Sequence, residues 1–344
     1  MQIMAKAKLR AAGVLFLLNS VWGTSPAVAQ QPNRLPTLEL NQDVAMKTLG
    51  GMQFWGDVAY CHGWRIQHNT FFKQHRLLDP DNCRHCSGTL EDCQKALDEI
   101  KKEKNLPKMS GHAVVLIHGI IRSSKSFTKM AETLKKDGYT VIGFDYPSTQ
   151  VEITQSAEYL HQLLESLEGV EKISFVVHSM GGLVVRSFLK EHQDDRIQRM
   201  VMLGVPNQGA NIADMLKNNV FFKLIYGPAG KQLGIDEGFI ANLPTPKFEF
   251  GVIAGARGDE KGYNPLVPGD DDGTVSVESA RLPGAADYAA IQCLHSFIMN
   301  HAETIAYTSH FLKTGQFRKA GEKQPIPIPP KEAEQEKPNA TPDA

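Results

Sequence analysis

The chain has 344 residues, with 37 Lys and Arg against 38 Asp and Glu and a formal net charge of −1. A hydrophobic fraction of 42% and a charged fraction of 22% are ordinary for a globular protein. The chain is long enough for one large domain with an accessory segment, and no basic excess marks a nucleic-acid partner. The first predicted element, in residues 1–29, stands outside the fold. Lys6, Lys8 and Arg10 precede the apolar run Ala11 to Leu18, and the small-residue site Ala27-Val28-Ala29 precedes Gln30. That order is a secretory leader, and the apolar run is too short to span a bilayer. No Cys follows the site, so lipid attachment is not expected there. The expected location is exported, periplasmic or secreted.

Residues 30–110 read as an N-terminal helical extension that carries Cys61, Cys83, Cys86 and Cys93. In an oxidising compartment four cysteines suggest two disulfides, with three pairings open. Zinc is the competing reading, since His62, His75 and His85 lie among them, but a second paired motif at matching spacing is missing. A charged helix is predicted over Leu90 to Lys104, opened by a Thr89-x-x-Asp92 capping box. Phe54, Trp55, Trp64, Phe71 and Phe72 are expected to pack onto the main body.

Residues 111–316 alternate strand and helix. His112–Ile117 is a continuous apolar run, as in a strand buried on both faces. A helix is predicted over 124–136, a strand over 139–146, a helix over 153–167 and a strand over 172–177. Next come a helix over 182–192, a strand over 197–203, strands over 248–254 and 288–294, and a helix over 303–312. Repeated units of this kind specify a mostly parallel sheet covered on both faces, the α/β class. Residues 207–247 interrupt the pattern as a cap or lid insertion, with a short helix over 212–217 and the aromatics Phe221, Phe222 and Tyr226. Residues 317–344 are rich in Pro, Glu and Lys and are expected to be a disordered tail.

The strongest chemical signal is Val177-His178-Ser179-Met180-Gly181-Gly182, where a buried strand gives way to a helix. A serine hydroxyl is a weak nucleophile that needs a fixed, accessible position and a neighbouring base. A tight strand–turn–helix provides the position, and the helix N-terminus directs backbone N–H groups towards a developing oxyanion. Here the sequence resembles the α/β-hydrolase superfamily, in its lipase/esterase branch, over about residues 112–314. The family pattern is Gly-x-Ser-x-Gly, and this chain has Val177 at the first position.

The resemblance implies an α/β-hydrolase fold and a Ser–acid–His order along the chain. His118-Gly119-Ile120 matches the family's oxyanion loop, so the backbone N–H groups of Ile120 and Met180 would form the hole, with His118 bracing the loop. The acid falls in Gly269-Asp270-Asp271-Asp272-Gly273. Asp272 is preferred because it precedes Gly-Thr-Val; Asp270 and Asp271 are alternatives, and three adjacent carboxylates raise calcium as a further reading. His295, after the last strand, matches the family's base, with His301 as its rival. Val205-Pro206-Asn207-Gln208-Gly209 resembles the stretch after the post-nucleophile strand in many lipases.

The implied activity is hydrolysis of small-molecule or lipid esters through an acyl-enzyme, with no cofactor, no metal and transient lipid-surface contact. Amidase, thioesterase or acyltransferase chemistry on the same triad is the alternative. A non-catalytic envelope binding protein is the third reading, one with no need of all three side chains.

Overall fold

The computed structural model describes residues 46–47, 52–209, 227–230, 232–233 and 238–329. The leader at 1–29, the helix at 212–217 and the aromatics Phe221, Phe222 and Tyr226 lie outside these residues.

Among the described residues the N-terminal extension is mainly sheet, not helix. Strands β1 (Met46–Lys47), β2 (Trp55–Cys61), β3 (Trp64–Asn69), β4 (His75–Leu78) and β5 (Cys83–Gly88) form an antiparallel sheet in the order β1-β5-β4-β3-β2. Trp64, Ile66 and His68 fall at period two, and such alternation suits a half-buried strand rather than a helix. The one expected helix is present as α1 (Leu90–Glu103). Its capping box closes with Thr89 Oγ1 accepting from Asp92 N at 3.1 Å and Asp92 Oδ2 accepting from Thr89 N at 2.9 Å.

The aromatic expectation divides. Trp64 is buried, whereas Phe71 and Phe72 in the β3–β4 turn are 62% and 77% exposed. All five cysteines are unbridged. Cys61 and Cys83 lie on β2 and β5, three strand spacings apart in the sheet order, about 14 Å and well beyond disulfide reach. The second expected bridge therefore lacks its geometry. Cys93 on α1 faces Cys86 on β5, and burial followed by the neighbouring Cys86 thiol pushes the Cys93 pKa up to about 12.

The second sheet is entirely parallel. It contains β6 (His112–Ile117), β7 (Thr140–Phe144), β8 (Lys172–His178), β9 (Ile197–Leu203), β10 (Glu249–Ala256) and β11 (Asp287–Gln292), in the order β11-β10-β9-β8-β6-β7. Alternate residues of β6 reach two cores. Ala113, Val115 and Ile117 pack with α3 (Ile153–Glu165), α4 (Met180–Glu191) and the N-terminal sheet. Val114 and Leu116 pack with α2 (Thr128–Lys136) and α6 (Ala302–Thr314). Both faces are dry, which is why the strand reads as an unbroken apolar run. A short helix, α5 (Val277–Ala280), lies between β10 and β11.

A buried polar junction ties the two sheets together. Asp57 N donates to Asp145 O at 2.9 Å, Asp145 N donates to Asp57 Oδ2 at 2.8 Å, and Arg65 Nη1 lies 3.1 Å from Asp145 Oδ2.

The segment from 317 to 329 is docked, contrary to the expected disorder. Phe317 is buried against Tyr307 and Phe311 of α6. Ile326 is buried and pairs through its backbone with Gly284 and Ala285. Asp287 accepts from Phe317 N and Gln324 N. Composition alone misses this, because two apolar anchors with satisfied backbone groups hold an otherwise polar strap.

Candidate active site

In a parallel sheet all C-terminal strand ends share one edge, and the loops there build the site. The turn between β8 and α4 is the first of these. Ser179 holds φ 53° and ψ −128°, a conformation that costs a non-glycine residue about 1–3 kcal/mol and persists only when its surroundings fix it. They do so here: Ser179 N donates to Leu203 O at 2.9 Å on the adjacent strand. Gly181 lets the turn close, since a Cβ there would lie 2.6 Å from Ile117 O. Val177 at the first motif position is fully buried in the core beneath the turn, so its branched side chain packs away from the crowded backbone.

His295 follows β11 and reaches Ser179, with Nε2 3.0 Å from Ser179 Oγ. Its Nδ1 lies 2.7 Å from Asp272 Oδ2. Asp272 is buried; its Oδ1 accepts from Thr274 N at 3.0 Å and Val275 N at 2.8 Å, and its backbone O accepts from His295 N at 2.8 Å. The structure thus brings Ser179, His295 and Asp272 into one hydrogen-bonded line.

The alternative acids point elsewhere. Asp270 accepts from Arg257 N and Gly258 N, and Asp271 from Asn264 N and Gly273 N. The three carboxylates diverge onto separate sets of backbone donors and do not converge on one point. His301, the rival base, is the N-cap of α6.

The loop after β6 runs beside the serine. A Cβ on Gly119 would stand 2.9 Å from Ser179 Cβ and 3.0 Å from His178 Nδ1, so the loop passes this close to the serine only with glycine there. Ile120 follows on this loop, and Met180 opens α4, where helix geometry leaves N–H groups without intrahelical acceptors. The brace is more extensive than the sequence suggests. His118 stacks on Tyr146 at 4.3 Å, donates from Nδ1 to Gly119 O at 2.7 Å, and accepts from Tyr146 Oη on its carbonyl at 2.6 Å. Burial holds the His118 pKa below its ordinary value, so the ring is neutral there.

Ile121, at φ 62°, donates its N–H to Ser148 Oγ at 3.1 Å. Gln53 completes the brace. Its Oε1 accepts from Ser148 Oγ, Thr149 N and Thr149 Oγ1, and its Nε2 reaches Arg122 O at 3.4 Å. No sequence signal singles out Gln53, because its partners lie 69 to 96 residues away.

His178, next to the serine, also went unmarked. It is fully buried, its Nε2 lies 3.1 Å from His295 O, and burial first, then nearby His295, holds its pKa well below the usual value. Asn207 of the Pro-Asn stretch is buried and accepts from Arg186 of α4 on both its oxygens. It fastens the post-β9 turn to α4. Large apolar side chains stand exposed after the strand ends: Ile121 after β6, Leu266 after β10, and Leu294 and Phe297 after β11.

The strand order, the strained serine turn and the Ser, Asp, His order along the chain define the α/β-hydrolase fold. A family described as Domain of unknown function (DUF7379) matches residues 86–229. A lysosomal thioesterase, PPT2-B of Xenopus laevis, is 26% identical over 105 residues; the match spans 28% of this chain and only 36% of that protein's length. Among solved structures, the mature lipase BlEst2 of Bacillus licheniformis aligns at 22% identity and a TM-score of 0.44, covering 59% of this chain and 91% of that one. The lin2722 gene product of Listeria innocua aligns at 20% identity and a TM-score of 0.45, covering 64% of this chain and 98% of that one.

Proposed function

We propose that the protein is an exported serine hydrolase that cleaves carboxylic esters through an acyl-enzyme on Ser179. The observation that carries this reading is the continuous relay from Ser179 Oγ to His295 Nε2 at 3.0 Å and from His295 Nδ1 to Asp272 Oδ2 at 2.7 Å. Ser179 Oγ attacks the ester carbonyl carbon as His295 Nε2 takes its proton. The carbonyl oxygen becomes an oxyanion that accepts from the N–H groups of Ile120 and Met180. The imidazolium then returns its proton to the departing alcohol. In the second half His295 draws a proton from water as the water oxygen attacks the acyl carbon; the bond to Ser179 Oγ then breaks, the imidazolium returns the proton to Oγ, and the acid leaves. Asp272 keeps the imidazole in the tautomer with Nδ1–H and stabilises its charged form.

The exposed Ile121, Leu266, Leu294 and Phe297 favour an apolar acyl group and transient contact with a lipid surface. The basic, apolar and small-residue order of the first 29 residues supports export, and the facing thiols of Cys86 and Cys93 would then oxidise to a disulfide.

The test is fluorophosphonate labelling with turnover of p-nitrophenyl esters of short and long acyl chains, for wild type and Ser179→Ala. Labelled wild type with an inert variant is the expected result; full esterase activity in Ser179→Ala would remove the nucleophile. Thioesters are the second reading, favoured by the match to the Xenopus thioesterase. Faster turnover of an acyl-CoA than of the corresponding oxygen ester would select it. Terminal sequencing and non-reducing peptide mapping of the mature protein test export and the Cys86–Cys93 bridge.

A further inference from the structure

Far from the serine, the face of α3 and the end of α4 carry a second cluster of chemistry-bearing side chains. Glu158, His161 and His192 are each half-buried, and their ligand atoms all lie within 4.8 Å of one another, the only such group among the described residues. We propose that these three side chains form a binding site for a borderline transition-metal ion, Zn2+ foremost, that ties α3 to the C-terminal end of α4.

The chain builds this cluster from two helices. Glu158 and His161 stand at i and i+3 on α3, one above the other on the same face. His192 is the C-cap of α4, fixed by its N–H bond to Phe188 O at 2.9 Å. Its Nε2 lies 3.2 Å from Glu158 Oε2. Two ligands each about 2.0–2.1 Å from a tetrahedral ion stand about 3.4 Å apart, so this pair is already at ligand spacing. The imidazoles of His161 and His192 stack at 3.8 Å with an 11° tilt, so His161 must turn out of this stack for its in-plane lone pair to face the same ion as His192.

The buried ring of Phe188 forms the floor, 5.4 Å from His192 and 6.2 Å from His161, and shields the cluster on one side. The nearby carboxylate of Asp194 is already committed, both oxygens bonded to Arg196 at 2.9 and 2.7 Å.

The donor set selects the ion. Two imidazoles and one carboxylate suit Zn2+, whereas Mg2+ and Ca2+ require oxygen ligands. Three protein ligands leave a fourth position for water. Zn2+ would take the Nε2 lone pair of the neutral His192 tautomer that carries its proton on Nδ1, so the Nε2 contact with Glu158 Oε2 gives way to a bond from each atom to the ion. The site lies a helix length from Ser179, about 18 Å for the 12 residues of α4, so the ion would act on stability and not in the reaction.

The experiment is Zn2+ titration of the metal-stripped full chain by calorimetry, alongside thermal unfolding with Zn2+, Mg2+ and Ca2+. One Zn2+ per chain and a midpoint raised by about 5 °C at saturation are expected, with no shift from Mg2+ or Ca2+. His161→Gln, His192→Gln and Glu158→Gln should each weaken Zn2+ binding at least about 10-fold. Glu158→Gln keeps a hydrogen-bonding group beside His192, so it remains informative if a histidine variant unfolds. Cys86→Ser and Cys93→Ser should leave the affinity unchanged. No binding at about 100 μM Zn2+, binding indifferent to all three Gln variants, or binding lost only with the cysteines would each overturn the proposal.

Discussion

Substituting Asp272 by Asn should cripple the enzyme without unfolding it, and the size of the loss follows from its hydrogen bonds. Asp272 Oδ1 accepts from two backbone donors, Thr274 N and Val275 N, while Oδ2 accepts from His295 Nδ1. Asn has one oxygen and one NH2 group. With its oxygen towards the backbone pair, the NH2 meets His295, whose Nδ1 must then accept, and the proton moves to Nε2. That nitrogen can no longer take the Ser179 proton. Turned the other way, the amide preserves the histidine tautomer but sets NH2 against the N–H donors of half-buried Thr274 and buried Val275. At about 1–3 kcal/mol for each group left unsatisfied, this costs about 2–6 kcal/mol. The productive orientation is therefore populated about 30- to 2 × 10⁴-fold less than the unproductive one, and kcat/KM should fall by a similar factor. The assay is p-nitrophenyl ester turnover, with urea unfolding to show an intact fold. Asp270→Asn, which touches only Arg257 N and Gly258 N, is the control and should keep activity within about 10-fold. Asp272→Asn retaining more than a tenth of wild-type kcat/KM, or Asp270→Asn losing as much, would refute the reasoning.

Other consequences are open to direct measurement. Gln53→Ala removes the acceptor for Ser148 and Thr149 and the donor to Arg122 O on the loop that carries Ile120. It should lower kcat about 10-fold with little change in KM, since a loosened oxyanion loop weakens transition-state contacts more than substrate binding. Gly181→Ala would bring a methyl to 2.6 Å from Ile117 O and 2.8 Å from His118 O; a loss of about 2–4 kcal/mol in urea unfolding is expected. Phe317→Ala empties a buried ring site between Tyr307 and Phe311 and should cost about 3–5 kcal/mol, whereas a disordered tail would give no change.

A pH effect follows from His178, which burial and nearby His295 keep neutral well below the ordinary value of 6.5. The unfolded chain takes up that proton near pH 6.5 and the native state does not, so stability is lost as pH falls below 6.5. Urea midpoints between pH 8 and 5.5 should fall more steeply for wild type than for His178→Gln, and parallel profiles would contradict a neutral His178.

Legibility in the sequence followed the range of the physics. Where a strand is buried on both faces, as Val114 to Ile117 is, its side chains declare it locally, and the strands of the parallel sheet and their helices were readable within a few residues. The turn at Ser179 was readable for the same reason, since small residues after it are what a sharp strand-to-helix turn requires. The N-terminal strands do not declare themselves locally because polar side chains fill buried positions of β2, β3 and β4: Asp57, Gln67 and Arg76 are buried and bond to one another across the sheet, while β5 is only half-buried.

Sequence order and spacing determined the parallel α/β core and the Ser179 turn, and the resemblance to the α/β-hydrolases pointed to an acid after β10 and a base after β11. Only the tertiary structure decided which of three adjacent aspartates faces His295, because the choice rests on backbone donors from the same turn and on Gly258, Asn264 and Arg257 outside it. It also decided that Gln53 braces the loop after β6, that Phe317 and Ile326 anchor the strap, and that Glu158, His161 and His192 meet. Each of these is a contact between residues distant in the chain, set by how the elements pack rather than by any local preference.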